Sequence, residues 1–351
     1  MSHTVLITGG CGFIGSHFVR ALHTTRPEWR IVNLDTLTYA GVLENLADIR
    51  ESSRYRFVRG DIADPVVVDR LVAEEHPWAI VNFAAESHVD RSILDPAPFL
   101  RTNIEGVQVL LQAARRGGVG RFLQISTDEV YGDVPAPDRS TEDSPLRPSS
   151  PYAASKAAAD LLCMAFARTY GQPVIIARSA NNYGPNQFPE KLIPLMIRNA
   201  VAGEPLPVYG DGGQVRDWLY VADNCEALVR VLERGRPGTI YNIGTHEERT
   251  NLAVVHAVCA LVGDALQRDG GAVRSQIQFV PDRPGHDARY AMDSTKVRME
   301  LGWSPRTAFQ EGVRDTVAWY LSHGEWVRKV TSGEYESYYA AVYARTWNAT
   351  S

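Results

Sequence analysis

The stretch that decides the fold lies at the start of the chain: Thr4-Val-Leu-Ile-Thr8, followed by Gly9-Gly10-Cys11-Gly12-Phe13-Ile14-Gly15. The first five residues form a β-branched apolar run, which is typical of a buried strand. The GxxGxxG spacing that follows leads into residues 16–22, which have helical periodicity. Glycines alone also fit an ordinary flexible turn, but a strand before them and a helix after them favour a phosphate-binding turn. We therefore expect a dinucleotide site at Gly9, Gly12, Phe13, Ile14 and Gly15.

Two further strand ends extend this predicted site. Asp35 closes the next strand, 20 residues beyond Gly15. A carboxylate there accepts hydrogen bonds from the adenosine ribose and repels a 2′-phosphate, so NAD is favoured over NADP. A third strand closes at Asp61 and Ile62, which we expect beside the adenine, although Gly-Asp is also a routine strand exit.

The alternation of elements predicts the fold class. Strands are predicted at 5–8, 31–35, 55–59, 79–84, 121–126 and 173–179, with helices at 14–23, 64–76, 96–117 and 151–170. Such alternation is typical of an α/β fold with a Rossmann-type, doubly wound parallel sheet, here over residues 1–180. Residues 181–351 are less regular and predict a smaller, partly interleaved C-terminal α/β lobe that binds the substrate, with helices at 190–201 and 335–347.

A second group of residues carries acid–base chemistry. Tyr152 and Lys156 are four residues apart on a helix whose start is marked by Ser-Pro, so they share one face. There the ammonium is expected to lower the pKa of the phenol, which can then take a proton from an alcohol. Asp128 and Glu129 follow a predicted strand and supply a second acid and base, which oxidation followed by elimination requires. Both can face one ligand only if that strand ends at Thr127.

Composition excludes several classes of protein. The 351 residues are 44% apolar and 22% charged, which suits a globular protein of two lobes. A net charge of −5 without a basic stripe argues against a nucleic-acid partner, and the apolar runs are too short to span a membrane. The four cysteines have no metal-ligand spacing and the nine histidines do not cluster, so no metal site is predicted. We expect a cytoplasmic protein.

These motifs resemble the extended short-chain dehydrogenase/reductase family and, within it, the branch of 4,6-dehydratases that act on dTDP-glucose. The resemblance covers nearly the whole chain and includes the segments 8–16, 83–92, 126–132, 150–156, 181–185, 189–194, 216–221 and 282–287. Thr127-Asp128-Glu129 is its most specific part, because the glycine turn and the Tyr/Lys pair occur throughout the family. The resemblance implies a lyase that oxidises glucose carbon 4, eliminates water across carbons 5 and 6, and works as a homodimer in deoxysugar biosynthesis.

The resemblance also implies residue roles. Tyr152, with Lys156 and Thr127, takes the proton from the carbon-4 hydroxyl, Glu129 removes the carbon-5 proton, and Asp128 protonates the hydroxyl that leaves carbon 6. Further contacts to NAD are expected from Phe83, Ala84, Ala85, Thr102, Tyr152, Lys156 and Asn182. Contacts to the nucleotide sugar are expected from Ser87, Thr127, Asn181, Lys191, Leu192, Pro207, Tyr209, Arg216, Asn251, Asp282, Arg283 and His286.

The sequence leaves four alternatives. A UDP-glucose 4,6-dehydratase would use similar machinery, and a sugar-nucleotide 4-epimerase or decarboxylase would use the same fold, NAD and Tyr152/Lys156. Asp128 and Glu129 argue against the epimerase and the decarboxylase. A catalytically silent NAD-binding sensor would need neither Tyr152 nor Lys156.

Overall fold

Strands and helices alternate through the first half of the chain in the computed structural model, which describes residues 3–333 and 335. The elements are β1 (Thr4–Thr8), α1 (Phe13–Thr25), β2 (Arg30–Asp35), β3 (Tyr55–Arg59), α2 (Pro65–Glu75), β4 (Ala79–Asn82), α3 (Val89–Leu94), α4 (Ala97–Leu100), α5 (Val107–Arg116), β5 (Arg121–Thr127), α6 (Pro151–Tyr170) and β6 (Val174–Ser179). Short 3-10 turns occur at Leu43–Leu46 and Asp128–Tyr131.

The second half contributes shorter strands and further helices within the described residues. They are β7 (Asn181–Tyr183), α7 (Leu192–Ala202), β8 (Leu206–Tyr209), β9 (Val215–Tyr220), α8 (Val221–Arg234), β10 (Thr239–Ile243), β11 (Glu248–Thr250), α9 (Asn251–Ala265), α10 (Gly270–Arg274), β12 (Ile277–Val280), α11 (Thr295–Leu301), α12 (Phe309–Ser322) and α13 (Gly324–Val330). Apart from Tyr335, the helix predicted over 335–347 lies outside the described residues.

Seven of the described strands form one parallel sheet in the order β10-β6-β5-β4-β1-β2-β3. The Rossmann-type prediction is therefore confirmed. The strand order changes direction between β1 and β4, and in such sheets ligands bind in the crevice beyond the carboxyl ends of the strands at that point. Strand β10 joins this sheet although it comes from the second half of the chain. The division of the chain at residue 180 remains a prediction.

Apolar residues cover both faces of the sheet, as a parallel sheet with helices on each side requires. Val5 and Ile7 face the layer that contains Phe18 of α1. Leu6, between them, faces the opposite layer with Leu110 of α5. The period of two along β1 thus separates two cores, and the sheet between them is a rigid base for residues at its carboxyl edge.

Most elements differ from their predicted bounds by one or two residues, and two of the differences affect the site. The strand predicted to reach residue 84 ends at Asn82, because the chain next passes over the glycine turn: a Cβ at Gly9 would lie 2.5 Å from the Ala84 nitrogen. The helix predicted over 96–117 contains a π-helical turn at Arg101–Gly106. Asn103 lies in that turn and its side chain bonds the backbone nitrogen and oxygen of Glu86, at 2.9 and 3.0 Å.

Candidate active site

The glycine turn lies against the end of β4 with no room for a side chain at Gly9 or Gly15. Gly9 has a φ of +69°, and a Cβ at Gly15 would lie 2.3 Å from the Gly9 oxygen. Helix α1 begins at Phe13 without a side-chain cap and without an acidic residue in its first turn. Its free N–H groups and positive dipole end are therefore available to an anion. This backbone cradle and these donors fit the pyrophosphate of a dinucleotide.

Asp35 ends β2 beside this turn and is buried. One carboxylate oxygen accepts a hydrogen bond from the Cys11 nitrogen at 2.9 Å, and the other accepts one from the Leu37 nitrogen at 2.8 Å. These bonds fix the carboxylate at the wall of the cleft. Cys11 fills a buried position behind it, and burial together with Asp35 raises the pKa of its thiol to about 12, so the thiol is inert.

One cleft of about 840 Å³ runs along the carboxyl edge of the sheet. Every residue predicted to contact the cofactor lines it, namely Gly9, Gly12, Phe13, Ile14, Gly15, Asp35, Asp61, Ile62, Phe83, Ala84, Ala85, Thr102, Tyr152, Lys156 and Asn182. Thr127, Asp128 and Glu129 line the same cleft. The structure therefore brings the predicted cofactor and catalytic residues into one cavity.

Strand β5 ends at Thr127, and the backbone turns there into the 3-10 turn that carries Asp128 and Glu129. The Thr127 hydroxyl accepts a hydrogen bond from the Glu129 nitrogen at 3.3 Å and lies 3.2 Å from a carboxyl oxygen of Asp128. A side-chain cap of this kind stabilises the turn. The strand thus ends at Thr127, as the sequence requires if Asp128 and Glu129 are to face one ligand. The turn lets these two consecutive carboxyl groups face one cavity.

The environment of Asp128 favours its protonated form. Burial, and secondly the neighbouring charge of Glu129, raise its pKa to about 8. Its second carboxyl oxygen is buried and has no hydrogen-bond partner among the described residues. Near neutral pH, Asp128 is therefore a carboxylic acid that can donate a proton.

Glu129 lies among cations. Burial raises its pKa, while Arg283, Lys191 and Arg216 oppose that effect, in this order of size. These positive charges favour the carboxylate over the acid. Two adjacent carboxyl groups thus have different surroundings, which suits one to be an acid and the other a base.

Helix α6 brings Tyr152 and Lys156 to the cleft. Ser150 caps the helix by accepting a hydrogen bond from the Ala153 nitrogen at 3.1 Å, and Pro151 is its first residue. The Tyr152 backbone nitrogen donates to the Ser92 hydroxyl at 3.2 Å. The position of the phenol is therefore fixed by both the cap and α3.

The predicted effect of Lys156 on Tyr152 is wrong for this arrangement. The Lys156 ammonium donates to the Ile125 carbonyl at 2.6 Å, and burial lowers its pKa to about 8. Burial, and secondly Glu129, raise the pKa of Tyr152, and a hydrogen bond with Thr127 only partly opposes this. The sequence places Lys156 on the same helix face as Tyr152 but does not show that Glu129 and Asp128 act on the phenol.

The predicted substrate residues fall into three groups. Ser87, Asn181 and Lys191 line the cleft, and the Lys191 ammonium donates to the Ser87 carbonyl at 2.7 Å. Tyr209, Arg216, Asp282, Arg283 and His286 are not among the residues that line it, but Arg283 and Arg216 act electrostatically on Glu129. Leu192, Pro207 and Asn251 do not line it either: Leu192 begins α7, Pro207 is buried in β8 and Asn251 begins α9.

Four members of the second group, all except Arg216, take part in a set of contacts that includes Asp90. Asp90 of α3 accepts hydrogen bonds from the Tyr209 hydroxyl at 2.9 Å and from Arg283 at 3.1 Å. His286 lies 2.6 Å from Asp282 and meets the Tyr209 ring edge-on, with 6.2 Å between the ring centroids. These contacts join the C-terminal residues to the part of the chain that carries the catalytic helix.

Several residues that line the cleft are not predicted from the sequence. They are Leu34, Thr36, Thr38, Ala40, Gly41, Gly60, Glu86, Asp95, Ala97, Pro98, Arg101, Ile125, Ser126, Ser179, Ala180, Gln187, Phe188 and Glu190. Many of them lie at or just after a strand end, a position that could have signalled them. Gln187, Phe188 and Glu190 follow no strand of the large sheet, and nothing local indicates them.

Two features are absent from the described part of the chain. Among residues 3–333 and 335, no three His, Cys, Asp or Glu side chains come together in a way that could hold a metal ion. None of the helices within the same residues has the length and apolar character needed to cross a membrane.

Comparisons with known proteins agree on one family. The family model for GDP-mannose 4,6-dehydratase matches residues 6–316. The dTDP-glucose 4,6-dehydratase of Xanthomonas campestris pv. campestris (strain B100) is 52% identical over 342 residues, which cover 95% of this chain and 97% of that protein. The dTDP-glucose 4,6-dehydratase 1 of Escherichia coli (strain K12) is 49% identical, with the same coverage.

Two solved structures share the fold, one of a dTDP-glucose 4,6-dehydratase and one of a UDP-glucose 4-epimerase. The dTDP-glucose 4,6-dehydratase of Streptomyces venezuelae, crystallised with NAD and dTDP, has a TM-score of 0.88 and 47% identity, covering 93% of this chain and 99% of that chain. The UDP-glucose 4-epimerase of Thermus thermophilus, in complex with NAD, has a TM-score of 0.82 and 35% identity, covering 91% and 99%.

Proposed function

The chain belongs to the GDP-mannose 4,6-dehydratase family, and from this premise we propose that it converts dTDP-glucose to dTDP-4-keto-6-deoxyglucose with NAD as cofactor. The observation that carries the proposal is the meeting of Asp128, Glu129 and Tyr152 in one cleft beside the glycine turn. Relatives that are dTDP-glucose 4,6-dehydratases share about half of the sequence over nearly its full length, which supports the choice of substrate.

The glycine turn, Asp35 and the residues that follow β3 and β4 would hold NAD. When bound, NAD would supply the hydride acceptor for carbon 4 of the hexose and the hydride donor for carbon 6. The chain contributes the backbone donors at the start of α1 for the pyrophosphate and the Asp35 carboxylate for the ribose hydroxyls.

Gly15→Ala is expected to weaken NAD binding by at least about tenfold, which corresponds to about 1.4 kcal/mol. The added methyl would meet the Gly9 oxygen at 2.3 Å, so the turn must move away from the pyrophosphate. Isothermal titration of the apo chain with NAD measures the change. Gly324→Ala is the control, since a Cβ there meets only the end of the Arg328 side chain. Equal NAD affinities in the two variants would contradict the assignment.

Three side chains move protons in sequence. Tyr152 takes the proton of the carbon-4 hydroxyl as that carbon becomes a ketone, and the Thr127 hydrogen bond favours the phenolate. The ketone acidifies the proton on carbon 5, which Glu129 removes. Asp128 gives its proton to the hydroxyl that leaves carbon 6 as water, and a proton later returns to carbon 5.

The pH dependence of water loss follows from the carboxyl pair. Because Asp128 must be protonated and its pKa is about 8, water loss is expected to fall as the pH rises through about 8. Glu129 must be ionised, and its raised pKa places the acid limb above the usual range of a glutamate. Adjacent carboxyl groups titrate as a coupled pair, so both limbs belong to the pair.

Single-turnover measurements over this pH range test that dependence. Elimination is followed by formation of the 4-keto-6-deoxy product, and oxidation is followed separately by formation of reduced nicotinamide. The two are separated because Asp128 acts only in the elimination. Water loss that stays constant well above pH 8 would contradict the role of Asp128 as the acid.

The nucleotide part of the substrate needs cations and an aromatic surface. Lys191, Arg216 and Arg283 are the cations that act most strongly on Glu129, and guanidinium groups bind diphosphate through paired N–H donors. Tyr209 and His286 lie together beyond them and suit the base. Ser87 and Asn181 are proposed to contact the hexose.

A comparison of dTDP-glucose, UDP-glucose and GDP-mannose as substrates tests the proposed function. Efficient formation of the 4-keto-6-deoxy product, detected by its absorbance in alkali, is expected with dTDP-glucose. Faster turnover of UDP-glucose would indicate a UDP-glucose 4,6-dehydratase. Epimerised or decarboxylated sugar without water loss would indicate the other enzymes that share this fold, and NAD binding without any reaction would indicate a sensor.

The assembly state and the compartment are also proposals. We infer a cytoplasmic homodimer formed through helices α4, α5 and α6. Leu100 and Leu161 on these helices are 51% and 62% exposed, and exposed apolar side chains of this size suit an interface. Analytical ultracentrifugation tests this inference, and a monomer at working concentration would contradict it.

A further inference from the structure

The loop after β2 separates two cavities. Thr36, Thr38, Ala40 and Gly41 line the cofactor cleft. Tyr39, in the middle of the same loop, does not line that cleft but lines a second cavity of about 400 Å³. Its side chain therefore lies on the side of the loop that faces away from the cofactor cleft.

Tyr39 is fixed by two side chains that come from distant parts of the sequence. Its hydroxyl donates a hydrogen bond to one carboxylate oxygen of Glu190 at 2.8 Å. The Arg91 guanidinium lies over the Tyr39 ring, 3.8 Å from its centroid, and donates to the other oxygen of Glu190 at 3.1 Å. Phe188 meets the Tyr39 ring edge-on at 5.3 Å. Tyr39, Glu190 and Arg91 thus contact one another in pairs and form a triangle.

The carboxylate that joins the other two side chains of the triangle is shielded from water. The Glu190 side chain is 2% exposed and that of Arg91 is 24% exposed. The imidazole of His88 lies 4.0 Å from Glu190. In such surroundings a hydrogen bond to a carboxylate is stronger than in water, and breaking it leaves a buried charge with fewer partners.

We propose that Tyr39, Glu190 and Arg91 form a latch that keeps residues 36–42 closed over bound NAD, so that these three are positioning residues for cofactor retention. The inference rests on the proposed function, in which NAD is regenerated in every cycle and need not leave. Because Thr38, Ala40 and Gly41 flank Tyr39 and line the cleft, opening this loop to release NAD moves Tyr39 away from Glu190.

Tyr39→Phe tests the latch directly, since it removes the hydroxyl and keeps the ring beneath Arg91. NAD is expected to dissociate about 10- to 100-fold faster, as for the loss of a hydrogen bond to a charged group. The measurement is the rate at which NAD leaves the loaded full-length chain into an enzymatic trap. The melting temperature of the apo chain and kcat at saturating NAD are expected to stay unchanged, while KM for NAD rises.

Tyr170→Phe is the matched control. Tyr170 also lies beneath an arginine, with Arg115 4.1 Å from its ring centroid, but it is 49% exposed at the end of α6. Glu190→Gln is the second test variant, and it is expected to speed NAD release in the same direction because it removes the charge that both partners bind.

The outcomes separate the latch from the proposed function. Faster release in Tyr39→Phe and Glu190→Gln, with unchanged apo stability, supports the latch. Release at the rate of the unmodified chain overturns it, and so does faster release that is matched by an equal loss of apo stability. An unmodified chain that binds no NAD overturns the proposed function as well.

Discussion

Glu129→Gln is expected to reduce water loss by about 10²- to 10⁴-fold, the usual contribution of a general base, while oxidation at carbon 4 still occurs. The amide keeps the size of the side chain but cannot take the proton from carbon 5. Because the ketone then persists, reduced nicotinamide accumulates on the enzyme when dTDP-glucose is added. Its absorbance in a single turnover measures the oxidation, and the 4-keto-6-deoxy product measures the elimination.

Glu105→Gln is a suitable control for this variant. Glu105 is an exposed carboxylate in the π-helical turn near the cleft, so its replacement changes net charge equally without touching the acid–base pair. Undiminished water loss in Glu129→Gln would contradict the assigned base. Simultaneous loss of both steps would show that Glu129 acts before elimination, for example in substrate binding.

Tyr152→Phe is expected to stop the reaction at its first step, with a fall in the rate of carbon-4 oxidation of about 10²- to 10⁴-fold. No other group is proposed to take the hydroxyl proton, and without that transfer the hydride cannot leave carbon 4. The ring should keep its place, because it packs edge-on against Phe99 with 6.3 Å between centroids. Rapid-mixing absorbance measures the loss of reduced nicotinamide.

NAD affinity, measured by titration, distinguishes this effect from a damaged site. It is expected to stay within about a few-fold of the unmodified chain, since Tyr152 contributes one hydrogen bond at most. Tyr170→Phe, at the other end of the same helix, should leave both quantities unchanged. Normal oxidation in Tyr152→Phe would refute the role of the phenol.

Much of the fold can be predicted because local signals agree with the tertiary structure. The β-branched runs, the glycine turn and the Ser-Pro start of α6 each indicate one element, and the structure confirms them. The early end of β4 could not be predicted, because it depends on the packing of Ala84 against Gly9. The π-helical turn depends likewise on the bonds between Asn103 and Glu86.

Some features of the site can likewise be predicted from the sequence, and others cannot. The carboxyl ends of parallel strands meet at one edge of a sheet, so the convergence of Gly9, Asp35 and Thr127 follows from the alternating pattern. The raised pKa of Tyr152 could not be predicted, since it depends on burial and, secondly, on the Glu129 charge that the fold brings from the end of β5. Tyr39 and Glu190 are 151 residues apart and carry no motif that pairs them.

A crystal structure of the Glu129→Gln variant with NAD and dTDP-glucose tests the central claim most directly, because the blocked elimination keeps the hexose in place. We predict that the Tyr152 hydroxyl lies within about 3 Å of the oxygen on carbon 4. The side chains at 128 and 129 should face carbons 6 and 5 of the same ring. A hexose bound away from these two side chains, or side chains turned out of the cleft, would contradict the account.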